Sequence, residues 1–115
     1  MKFAKIIFLQ LLIAFVFTTT LLAQGGGKTY DFSGKVTDAK GEVLPYVAVA
    51  IYKTADSTYV KGVATDMDGK FKIPLSNGNY YAKLSFLSFE SKIIPNIEIA
   101  NKAVEMKKIV MKYLI

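Results

Sequence analysis

The sequence predicts an all-β fold: a sandwich of about seven strands behind a secretory leader. Three observations carry this. Apolar and polar residues alternate with period two in short segments from Tyr30 onward. Asp-Gly and Asn-Gly pairs punctuate those segments at Asp68-Gly69 and Asn77-Gly78. The first 24 residues differ in composition from everything after them.

Those residues, "MKFAKIIFLQLLIAFVFTTTLLAQ", carry Lys2 and Lys5, then an apolar run from Ile6 to Phe17 broken only by Gln10. Thr18–Thr20 follow, then Leu21-Leu22-Ala23. A basic start, a short apolar middle and a small residue at the cut make a signal peptide, with cleavage expected after Ala23 or Gln24. The rival is a retained anchor. The strict apolar run is 12 residues, whereas a spanning helix needs about 20, so no membrane span is expected in the mature chain. There is no cysteine anywhere to carry a lipid. The expected organisation is 1–24 leader, 25–29 glycine-rich flexible segment and 30–115 β-sandwich.

The 91 residues after the leader hold 13 lysines, no arginine and nine acids, a net charge of +4. A domain this small buries only about 60–65% of its unfolded surface. With no disulfide, its stability rests on the apolar core. The seven tyrosines, Phe32, Phe71, Phe86, Phe89 and many valines and isoleucines supply one.

Each element follows in order. In "YDFSGKVT", Tyr30, Phe32, Gly34 and Val36 share one face. "DAKG" is a turn ending in a glycine that tolerates left-handed geometry. Leu44-Pro45 leads into "YVAVAIY", apolar on both faces and so an inner strand. Pro45 stands at its entrance, where a missing N–H does least harm. After the polar "KTADS" comes "TYVKGVAT", with Gly62 expected to mark a bulge. Asp68-Gly69 predicts a hairpin into "KFKIPL", whose Phe71, Ile73 and Leu75 share a face. "SNGN" repeats that logic before "YYAKLSF". Leu87 to Glu90 form a corner. "SKIIPNIEI" is interrupted by Pro95 and reads as an edge strand or two short pieces. "AVEMKKIVMKYLI" slips phase at Lys107-Lys108; a final strand is favoured over a short helix.

The acids of "ATDMDGKFKI" raise the question of calcium. An EF-hand loop from Asp66 needs glycine at its sixth position and glutamate at its twelfth. Here the fourth is Gly69 and the twelfth is Asn77, and the fifth is the cation Lys70. The turn reading is therefore preferred, and no metal or cofactor is expected. Histidine and cysteine are both absent, which removes the commonest general base, the thiolate nucleophile and the usual zinc ligands. Ser57, Ser85 and Ser91 have lysines nearby, but no strained nucleophile turn. "GGGK" lacks the rest of a phosphate loop. Neither catalysis nor nucleic-acid binding is expected, since the lysines are scattered and no arginine exists to read phosphate or bases. Such lysines act as a solvated face that discourages edge pairing. Tyr46, Tyr52, Tyr59 and Tyr81, with Tyr80, are candidates for an exposed aromatic surface that takes a protein or a sugar ring, set against a role in core and cross-strand packing.

"SGKVTDAKGEVLPYVAVAIYK", "DSTYVKGVATDMDGKFKI" and "NGNYYAKLSFLSFE" together resemble the carboxypeptidase regulatory-like domain, over roughly Asp31 to Met111. The residues carrying the resemblance are Gly34, Val36, Asp38, Gly41 and Leu44; Thr65, Asp66, Asp68, Gly69 and Phe71; and Gly78 and Tyr80. The resemblance implies a prealbumin-like, or carbohydrate-binding-like, sandwich with no catalytic residues and no cofactor. Such domains commonly stand at the N-terminus of TonB-dependent receptors, directly after the signal peptide, and "DSTYVKG" looks like that outer-membrane group. The implied location is the periplasm or the periplasmic face of the outer membrane. The implied partner is a protein or a receptor barrel, engaged by loops or by strand addition; a carbohydrate is the alternative. This chain has Ser88-Phe89 where relatives often have Gly-Tyr. The plug and barrel of such receptors do not follow before Ile115, so a stand-alone module and a piece of a longer receptor are both compatible.

Overall fold

Alternation gives each strand one dry face, and a dry face has to be covered by another. The computed structural model describes residues 27–114. They form β1 (Tyr30–Thr37), β2 (Ala48–Lys53), β3 (Tyr59–Ala64), β4 (Lys70–Leu75), β5 (Gly78–Ser85), β6 (Lys92–Ile99) and β7 (Val104–Val110). Two sheets result, in the orders β4-β1-β7 and β3-β2-β5-β6. Their inner faces bury Phe32, Val36, Ile73 and Ile109 from the first sheet and Val49, Ile51, Leu84, Ile97 and Ile99 from the second. β2 is an inner strand, between β3 and β5. Among the described residues no helix is long and apolar enough to cross a membrane.

Four of the five neighbouring strand pairs are antiparallel, but β1 and β7 run parallel. β7 is reached from β6, in the opposite sheet, by a connection that crosses between sheets rather than by a hairpin, and it lies beside β1 running the same way.

The turns expected to close hairpins are sheet-to-sheet corners instead. The Asp38 turn joins β1 to β2, the Asp66–Gly69 turn joins β3 to β4, and Asn77-Gly78 joins β4 to β5, each passing between sheets. The within-sheet hairpins are β2–β3, across "TADS", and β5–β6, across the Leu87–Glu90 corner. Asp-Gly sets a local reversal. Whether the flanking strands then pair edge to edge or pack face to face is decided by where their dry sides meet.

Bulges account for the irregular patterns. On β7, Met106 pairs with Gly34 and Ile109 with Val36, so one extra residue falls at Lys107-Lys108, where the alternation slips. On β6 the extra residue falls at Pro95-Asn96, and Asn96 takes φ 58°. The expected bulge at Gly62 lies two residues earlier. Gly62 pairs regularly with Ala50, and the shift between Ile51 and Tyr52 makes Val60 the extra residue. Gly62 has another reason to lack a side chain: a Cβ there would stand 3.0 Å from the Tyr59 hydroxyl.

Gly69 shows how tightly one end is closed. It takes φ 74°, and an added Cβ would lie 2.6 Å from the Val36 carbonyl oxygen. Gly41 takes φ 89° with open space around it. Gly41→Ala therefore carries only the left-handed strain, about 1–2 kcal/mol. Gly69→Ala adds a backbone clash and should cost about 3 kcal/mol or more. Urea unfolding of both variants checks the order; equal losses would contradict it.

Candidate functional site

The ends of β1 and β3 carry the same hexapeptide pattern, Thr-Asp-x-x-Gly followed by a charged residue, at Thr37–Glu42 and Thr65–Lys70. Each builds the same loop. Asp38 Oδ1 accepts the amides of Lys40 at 2.9 Å and Glu42 at 3.0 Å. Asp66 Oδ1 accepts those of Asp68 and Lys70, both at 2.9 Å. In each, the glycine amide donates to the aspartate carbonyl. These carboxylates act as turn scaffolds, because an Asx side chain can bond to the backbone two residues on. The repeat is six residues long with only three shared identities, too short to be told from chance in the sequence alone.

The two threonines differ. Thr65, buried, donates its hydroxyl to the Leu44 carbonyl at 2.6 Å and accepts the Val47 amide at 2.9 Å. Its backbone N–H donates to Val47 and its carbonyl accepts from Tyr46, both at 3.0 Å. The hydroxyl thus stands inside the Leu44-Pro45-Tyr46-Val47 turn, bridging the carbonyl and amide that such a turn usually joins directly. Pro45 at the second place of the turn suits this geometry, but the third place asks for positive φ and normally takes glycine. It holds Tyr46 at φ 64°. Tyr46 is 66% exposed, as is Met67, and their hydroxyl and sulfur lie 3.2 Å apart. By contrast, Thr37 Oγ1 is buried with no hydrogen-bond partner among the described residues.

Around this turn the sandwich is unusually apolar at its surface. Of the eight exposed large apolar residues described, Val43, Tyr46, Met67, Leu87, Tyr113 and Leu114 all lie at the end where β1 and β7 finish. The tail is tied there. Leu114 N–H donates to the Ser88 carbonyl at 2.9 Å, the Phe89 and Tyr113 rings lie 4.2 Å apart, and the Tyr113 hydroxyl reaches Asp38 Oδ2 at 3.5 Å.

The remaining motif residues sit elsewhere. Gly34 pairs with Phe71, whose ring would lie 3.0 Å from a Cβ on Gly34. At the opposite end, Tyr80 is buried and donates to the Ser76 carbonyl at 2.8 Å, with its ring over Gly78. There too, Asp56 is held below the usual aspartate range, first by the Thr58 side chain and then by the Thr58 amide.

The tyrosines considered as a ligand surface do not form one group. Tyr46 belongs to the apolar end. Tyr52, Tyr59 and Tyr81 line up across β3, β2 and β5 on the outer face of the four-stranded sheet. Tyr52 and Tyr81 are stacked at 14° with centroids 5.1 Å apart, and Tyr59 meets Tyr52 edge-on at 5.7 Å. Stacked rings spend their faces on each other, whereas a sugar platform needs them open.

Strand addition finds blunted edges. β3 has its bulge, β4 has Pro74 with Lys70 and Lys72, β6 has the Pro95-Asn96 kink, and β7 has a bulge bearing two lysines. The outer face of the three-stranded sheet sets Lys35 opposite Lys70.

Fold and loops together define a β-sandwich module whose distinctive surface is a loop end rather than a cleft. The carboxypeptidase regulatory-like domain profile matches residues 31–112, and the chain belongs to that family. No curated protein matches the chain. Among solved structures, it is similar to the major pilin subunit of Bacillus cereus, with TM-score 0.62, 18% identity, and 73% of this chain and 29% of that one covered. A cohesin–X-dockerin complex from Acetivibrio cellulolyticus gives TM-score 0.59 at 20% identity, covering 73% and 58%. The 3-chlorocatechol 1,2-dioxygenase of Rhodococcus opacus gives 0.61 at 10%, covering 77% and 62%. The chain spans less than two thirds of each, and likeness at this identity is a likeness of fold.

The contrast between the threonines is measurable. Thr65→Val strands the Leu44 carbonyl and the Val47 amide and should cost about 2–4 kcal/mol. Thr37→Val removes a hydroxyl with no hydrogen-bond partner among the described residues and should leave stability unchanged or raise it by about 1 kcal/mol. Denaturant titration of the pair reads both signs.

Proposed function

We propose that this chain is an exported, non-catalytic accessory module of the periplasm or the outer membrane. It acts as the N-terminal domain of a TonB-dependent receptor or as a stand-alone relative of one. The leader composition and the family support the location and the setting. The observation that carries the interaction role is the gathering of six exposed apolar side chains on one end, held by two aspartate turns and the Thr65 bridge. Exposed apolar surface of that kind marks a site for another protein. The absence of histidine and cysteine from the sequence removes the commonest acid–base and nucleophilic groups from any catalytic alternative. A sugar-binding role is less well supported, because Tyr52 and Tyr81 cover each other.

Fractionation of native cells with an antibody against residues 31–111 tests this reading. A band in the periplasm or the outer membrane is expected, and a band confined to the cytoplasm would overturn it.

A further inference from the structure

The apolar end divides into two halves of opposite charge. One half carries Tyr46 and Met67 with Lys35, Glu42, Asp66, Asp68 and Lys70, a net −1. The contact of Val43 with the Gly69 position places the Glu42 side of its loop in this half. The other half carries Leu87, Tyr113 and Leu114 with Asp38, Lys40, Glu90, Lys92 and Lys112, a net +1. Ala39 lines one shallow hollow with Glu90, Lys112, Tyr113 and Leu114, which brings the Lys40 side of the same loop to this half. Val43 bridges to Thr37 at the end of β1, the strand that separates β4 from β7.

A surface with apolar residues throughout and charges of opposite sign on its two sides is complementary to itself under a two-fold rotation. We propose that a second copy of this chain covers this end. The copies meet end to end about an axis near Val43, with Tyr46 and Met67 of each on Leu87, Tyr113 and Leu114 of the other. This rests on the reading of that end as the docking face. The area is of the right size. The six side chains, 37–87% exposed, present on the order of 700 Å² between them, near the about 800 Å² per partner of a standard interface. Tyr46 adds an anchor whose direction is set before the partner arrives, since the Thr65 bridge fixes its backbone at φ 64°. Rigid tyrosines of this kind concentrate binding energy.

Sedimentation equilibrium of the chain purified from its own cells tests the proposal. The wild type should sediment as a dimer whose dissociation constant rises with salt. Tyr46→Gly keeps the fold, because glycine prefers positive φ, and should weaken the dimer at least about tenfold. Asp68→Lys and Glu90→Lys add the same charge to the molecule but act on opposite halves. Asp68→Lys should loosen the dimer and Glu90→Lys should tighten it, whereas general repulsion between basic chains would loosen both. A monomeric wild type, or a dimer indifferent to Tyr46→Gly, overturns the proposal. If the wild type is monomeric yet Tyr46→Gly releases the chain from the envelope fraction, the dimer fails and the docking face stands. If Tyr46→Gly changes neither, both fail.

Discussion

The hydroxyl of Thr65 is the interaction on which the loop end depends. It occupies the gap between the Leu44 carbonyl and the Val47 amide, and the Thr65 backbone adds two further bonds to the same four-residue turn. Buried backbone groups left unpaired are costly, so a single side chain that satisfies two of them ties the start of β2 to the end of β3. That tie also lets a tyrosine occupy a conformation that glycine would adopt freely. Non-glycine residues persist in the left-handed region when their surroundings over-determine them. Here the surroundings are the Thr65 bridge on one side and Met67 on the other.

Much of the fold was legible because burial in a sandwich follows period two. Phe32 and Val36, Val49 and Ile51, and Ile73 and Leu75 all fall on the dry face that alternation assigns them. The phase slip at Lys107-Lys108 and the proline in β6 were legible too, as irregularities whose physical form is a bulge. Strand pairing was not. Asp68-Gly69 specifies a reversal through bonds within five residues, and nothing in those residues states which sheet the next strand joins. Gly62 shows the same limit. A glycine in a strand signals that something approaches closely, but that the visitor is the Tyr59 hydroxyl rather than a bulge depends on Val60 having been squeezed out next door.

The loop end was only partly legible. Thr65, Asp66, Asp68 and Gly69 stood out through family resemblance, and Tyr46 as one tyrosine among several. Their assembly needs a contact between segments distant in sequence, which no local pattern encodes. The structure separates Tyr46 from Tyr52, Tyr59 and Tyr81, and buries Tyr80 altogether. It also shifts weight from the strand edges to the loops. All four edges carry a proline, a bulge or lysines, devices that keep a sheet from pairing with strangers.

Amide hydrogen exchange at Val47 and Tyr46 tests the central claim most directly. Both amides lie before the first residue of β2, in a segment that as an ordinary exposed loop would exchange with little protection. If the Thr65 hydroxyl and carbonyl hold them as described, they exchange as slowly as the amides of Val49 and Ile51 in the middle of β2. Exchange as fast as that of the exposed Ala55 and Asp56 amides would show that the bridge is not formed in solution and that the end is not built in advance for a partner.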